Sequence, residues 1–117
     1  MALRITVNSP DPIVAKEKVF ELISQGFEAH SAQIHYDILH GLSRIDGIDK
    51  YPLILSGTFK NRDASIYVYS VTAGYGLLGS HAMVDILRFA GFEFDRDEIL
   101  TSKRANYENK IILSYTR

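Results

Sequence analysis

Residues 65–91 constrain the chain more than any other stretch. Ser65–Thr72 is a run of β-branched and aromatic residues, which predicts a strand. Gly74, Gly76 and Gly79 follow with G-x-G-x-x-G spacing. Ser80 then fits a helix N-cap and Gly91 a helix stop. Glycines without a Cβ let a backbone approach a ligand closely. Free N–H groups and the helix dipole at such a turn favour an anion, typically a phosphate. The same spacing also fits a connection that needs positive φ angles and binds nothing.

The length of 117 residues suits one domain over 1–117, and 46% hydrophobic residues suffice for a packed core. The net charge is −1, from 13 basic and 14 acidic side chains. A general polyanion binder would be more basic, so nucleic acid is not the expected partner. No cysteine is present, which excludes disulfides, thiolate zinc sites and thiol catalysis. No apolar run has the length of a membrane span, and the N-terminus reads as a strand rather than a signal peptide. A cytoplasmic protein without a membrane partner is expected, in a host cytoplasm if its source is viral.

In chain order, Leu3, Ile5 and Val7 alternate with polar residues and predict a half-buried first strand. Ser9-Pro10-Asp11-Pro12 starts a helix, with Ser9 or Asp11 as N-cap and a proline at the first helical position. Ala15, Val19, Leu22 and Ile23 form its buried stripe. Gly26 and Phe27 fit a Schellman end. Ala32–Leu39 predicts a second strand ended by His40-Gly41, and Gly41–Lys50 a loop. Leu53–Phe59, with Leu53, Ile54 and Leu55 in a row, reads as a strand buried on both faces. Lys60-Asn61-Arg62-Asp63 links it to the strand over 64–72 as an antiparallel hairpin. Met83, Val84, Leu87 and Ala90 line the buried side of the second helix, a short helix fits Asp97–Lys103, and Lys110–Thr116 closes the chain as a strand. The fold class is α/β (α+β). The expected architecture is a mixed sheet of about five strands carrying two main helices, in the order β-α-β-β-β-α-β. The helix exits Gln25-Gly26-Phe27-Glu28 and Ala90-Gly91-Phe92-Glu93 resemble each other, which shared helix-stop chemistry explains.

The candidate ligand-binding residues are Gly74, Tyr75, Gly76, Gly79, Ser80, His81, Arg104 and Tyr107. Too few residues follow Gly79 for a full dinucleotide-binding domain. His81, in the first turn of the second helix, can donate to a phosphate; it also fits an ordinary exposed position. Arg104 can fold back from the loop after that helix, and a guanidinium binds two phosphate oxygens at once. Lys60, Arg62 and Lys103 are weaker candidates of the same kind, each equally a solvated surface charge. Tyr75 and Tyr107 can stack on a base, although tyrosines also suit ordinary sheet faces. His35, His40 and Asp37 have no metal-ligand spacing, so neither a metal nor a cofactor is expected. No Ser-His-Asp order or paired-carboxylate pattern stands out, and no residue is assigned a catalytic role.

Ile5–Val7, the helix over Asp11–Gln25, the Ala73–Ser80 turn and the Lys103-Arg104 loop give a chain that resembles the Thoeris anti-defence sponge proteins of phages. The resemblance implies a homo-oligomer that sequesters a cyclic nucleotide signal, such as a cyclic ADP-ribose isomer, without cleaving it. Three function classes follow. The first is non-enzymatic capture of a phosphate-bearing nucleotide. The second is a small phosphodiesterase-like enzyme built on His35, His40 and His81. The third is a protein-interaction domain whose glycine turn holds no ligand. Independently of the resemblance, Leu77, Leu78 and the Tyr67–Tyr69 strand offer apolar surface for a homo-oligomer.

Overall fold

The computed structural model describes residues 3–35, 43–45, 48–69, 71, 78–101 and 112–117. The chain opens with β1 (Leu3–Val7) and α1 (Pro12–Ser24). Asp11 caps α1: its Oδ1 accepts from the Ile13 N–H at 2.9 Å, and Pro12 takes the first helical position, where no N–H is needed. Such a cap is worth about 1 kcal/mol. Ala15 and Val19 are fully buried, with Leu22 and Ile23 half-buried beside them.

α1 ends in a Schellman motif. The Gly26 N–H donates to Ile23 O at 3.1 Å and the Phe27 N–H to Leu22 O at 3.0 Å, with Gly26 at φ 116°. The exit of α2 (Leu78–Phe89) repeats it: Gly91, at φ 91°, donates to Arg88 O at 3.1 Å, and Phe92 donates to Leu87 O at 3.0 Å. Both left-handed positions suit glycine, and each following phenylalanine is buried. The resemblance of the two exits in sequence is therefore a shared way of stopping a helix.

After Phe27 the chain passes straight into β2 (Glu28–His35), four residues before the predicted start at Ala32. The Schellman turn reverses the chain at once, so no linker is needed. The predicted continuation over 36–39 and the stop at His40-Gly41 lie outside the described residues. The stretch read as a loop contains a small hairpin, β3 (Ser43–Ile45) paired with β4 (Ile48–Lys50). β5 (Leu53–Phe59) and β6 (Arg62–Val68) then form the expected hairpin with a tighter turn. Lys60 and Asn61 alone make it, at φ 53° and 64°, so Arg62 and Asp63 belong to β6. Two consecutive positive φ angles match the right-handed twist of paired strands, and asparagine tolerates the conformation. The short helix expected over Asp97–Lys103 is α3 (Arg96–Thr101), and the last strand is β7 (Ile112–Thr116).

The five-stranded sheet has the order β1-β6-β5-β2-β7. β1 and β6 are parallel, and the remaining neighbours are antiparallel, so the sheet is mixed. β2 consequently runs in the direction of β1 and β6. Pairing aligns Val7 with Val68, Ile5 with Ile66, Leu55 with Ile66 and with Ala32, and Leu53 with Ile34. These side chains share one face and meet Ala15, Val19, Met83, Ile86 and Leu87 from the helices. Full burial of a large aliphatic side chain contributes about 1.5–3 kcal/mol, which makes this seam the main stabilising feature.

Among the described residues no helix covers the opposite face. It carries Arg4, Thr6, Ser31, Gln33, Ile54, Ser56, Thr58, Ser65 and Tyr67, all half-buried or exposed. β5 is thus buried on one face, not on both: the helices cover a single side, and Ile54 stays half-buried.

α1 and α2 lie side by side and point the same way. Lys16 Nζ meets Asp85 Oδ2 at 3.1 Å, and one turn further along both helices Phe20 stacks on Phe89 at 4.3 Å between ring centroids. The partly exposed ion pair adds at most about 1 kcal/mol. β7 is fastened to the helix layer by Tyr115, whose hydroxyl donates to Glu98 Oε1 at 2.6 Å and whose ring packs edge-on against Phe94.

Candidate functional site

The parallel pair β1 and β6 brings two strand-to-helix connections to one edge of the sheet. β1 ends there at Val7 and leads into α1; β6 ends beside it at Val68 and leads into α2. The Tyr69 N–H donates to Val7 O at 3.0 Å and carries the pairing one residue further. β5 begins at the same edge, since Leu53 pairs with Val68. Because α1 and α2 are parallel, the positive ends of both helix dipoles also face this edge. Both helices lie on one face of the sheet, so what gathers at these strand ends is two helix N-termini with their free backbone N–H groups.

The two helix starts differ in charge. The Asp11 carboxylate already satisfies an N–H of α1 and neutralises the local field. The first turn of α2 has no acidic side chain. Of the two, α2 therefore has the start more favourable to an external anion, and it is the one reached through the glycine-rich connection.

The predicted site residues fall into two groups. Gly79, Ser80 and His81 stand together in the first turn of α2. Gly79 and Ser80 are buried and His81 is exposed. Ser80 is not the N-cap that the sequence predicts: the helix begins at Leu78, and Ser80 is fully buried within its first turn. Gly79 belongs to the helix rather than to the turn. Gly74, Tyr75, Gly76, Arg104 and Tyr107 lie outside the described residues.

An aromatic and cationic group that no motif in the sequence marks lies on the open face near this edge. Arg4 Cζ is 4.2 Å from the ring centroid of Tyr67 and 6.0 Å from that of Tyr51. The Tyr51 and Tyr67 rings meet edge to face at 5.4 Å and 71°. Tyr69, two residues beyond Tyr67, is 42% exposed. Strand alternation is the signal that could have found part of the group: Arg4 lies opposite the Leu3–Ile5–Val7 face, and Tyr67 and Tyr69 share a face. The approach of Tyr51 is tertiary and has no such signal.

Among the described residues no cluster of three or more His, Asp or Glu side chains could hold a metal ion, and no helix is long and apolar enough to cross a membrane. Comparison with protein-family models, curated proteins and solved structures finds no match for this chain.

Proposed function

We propose that the chain captures a phosphate-bearing nucleotide at the β1/β6 edge and holds it without cleaving it. The observation that supports this reading most is the start of α2. It follows a glycine-rich connection, has no acidic side chain in its first turn, and stands beside a helix whose own start is occupied by Asp11. His81 donates to the phosphate from that first turn, and Arg104 supplies a charge-assisted fork. Sequestration, rather than turnover, accords with the resemblance to anti-defence sponge proteins and with the lack of a recognisable catalytic order in the sequence. The reading is tested by incubating the protein with 5′-AMP, 5′-GMP, ADP-ribose and cyclic ADP-ribose, desalting, and chromatographing what heat denaturation releases. Intact retained nucleotide is the expected result. An altered product would instead make the protein an enzyme, and no retained nucleotide would favour an interaction domain.

We also propose that the chain is a homo-oligomer. Leu78 is 55% exposed, Phe89 48% and Val14 38%, all on the helix layer of a small domain. Apolar surface of this kind commonly marks an interface. Light scattering at micromolar concentration should give a mass at least double 13.2 kDa. A monomer mass would contradict the assembly and leave the ligand reading untouched.

A further inference from the structure

We infer that the base of the captured nucleotide lies on the open face of the sheet, stacked on Tyr69 beside the Arg4–Tyr67–Tyr51 cluster; this rests on the nucleotide-binding reading above. β6 carries Tyr67 on that face and ends at Val68; Tyr69 follows at once, its N–H still paired to Val7 O at 3.0 Å, so strand alternation puts it on the side of Tyr67. In sequence, Tyr69 comes just before the glycine-rich connection and the start of α2 just after it.

The cluster is built for such a ligand. Tyr67 already holds Arg4 near its ring, at 4.2 Å, and Tyr51 braces it edge-on at 5.4 Å. Among the described residues the Arg4 guanidinium has no carboxylate partner, so its N–H donors remain available to a carbonyl or phosphate oxygen. Tyr69 differs from its neighbours: 42% exposed, its ring has no stacking partner among the described residues. A nucleobase supplies both things this surface lacks, a planar partner for the ring and acceptors for the guanidinium.

The ligand class is a mononucleotide or compact cyclic nucleotide rather than a strand. Single-stranded nucleic acid is held by a basic groove that follows the backbone. Among the described residues the face offers Arg4 against Glu28 and Asp63, and the chain as a whole has a net charge of −1.

The test compares Tyr69→Ala and Tyr69→Phe with the unmodified protein. Equilibrium dialysis with the retained nucleotide and with ribose 5-phosphate measures the base's contribution. Melting curves confirm that both variants fold. Loss of one base–aromatic stack should weaken nucleotide binding roughly 5- to 150-fold in Tyr69→Ala, with ribose 5-phosphate unaffected. Tyr69→Phe keeps the ring and should stay within about 3-fold of the unmodified protein. The chain has no tryptophan, so quenching of tyrosine emission on binding, reduced in Tyr69→Phe, gives a second readout. Unchanged nucleotide affinity in Tyr69→Ala would overturn the stacking assignment while the capture reading stands. Failure of the unmodified protein to bind any of the nucleotides would overturn both. Tighter binding of oligo(dA) than of any mononucleotide would overturn the ligand class.

Discussion

Gly57→Ala is expected to lower the melting temperature by roughly 10 °C or more, although alanine is among the mildest of substitutions. Gly57 lies on β5 opposite Ala29, where the β2–β5 register shifts between Ala29 and Ser31. A Cβ at this position would overlap the carbonyl oxygen of Glu28 and come within 2.9 Å of its carbonyl carbon and 3.0 Å of Ala29 Cα. All three are backbone atoms, so no side-chain rotation relieves the clash. β5 and β2 must separate locally; overpacking typically costs about 1–3 kcal/mol, and a clash with backbone alone puts this one at the upper end of that range. The irregularity in β2 permits this close approach, and only a glycine on β5 fits against it. Calorimetry or circular dichroism checks the result; a melting temperature within about 2 °C of the unmodified protein would show that the strands accommodate a methyl group.

Gly57 also shows where sequence reasoning stops. In sequence it is an ordinary glycine within an apolar run, and its role depends on a β2 irregularity that pairing alone reveals. The α+β class, both main helices, the Asp11 or Ser9 start of α1 and both glycine helix stops were legible, because each rests on local chemistry: alternation, a capping carboxylate, a left-handed residue. The paired glycine-phenylalanine exits were the clearest case. Strand ends were less legible. β2 starts four residues before its expected position because a Schellman turn feeds it directly, and the four-residue hairpin link is a two-residue turn because Lys60 and Asn61 both adopt positive φ. One-sided burial of β5 was missed for another reason. Ile54 continues an apolar run in sequence, yet both α1 and α2 pack on the other side of the sheet.

The candidate site divides along the same line. Its glycine spacing and the exposed His81 came from sequence. The shared edge did not, because the parallel pairing of β1 with β6 joins residues some sixty positions apart, as in Leu3 with Ala64. Nor did the contrast between the two helix starts, which needs the Asp11 contact of α1 set beside the acid-free first turn of α2. Arg4 and Tyr51 reach Tyr67 across the sheet, so no spacing rule connects them. The same topology brings the ends of β1 and β6 and the entry to β5 to one edge.

The most direct test of nucleotide capture at the glycine-rich connection is the affinity of Gly76→Val, measured by calorimetry beside its melting temperature. Gly76 is the middle glycine of the G-x-G-x-x-G spacing, where a phosphate would come closest to the backbone. A β-branched side chain takes the space of an oxygen. Loss of two charge-assisted hydrogen bonds, each about 1.5–3 kcal/mol, would weaken binding about 100-fold or more. Backbone strain of about 1–3 kcal/mol is within the stability of a typical domain, so the variant should still fold. The account predicts a folded Gly76→Val that no longer retains the nucleotide held by the unmodified protein. A folded variant that binds with unchanged affinity would contradict it.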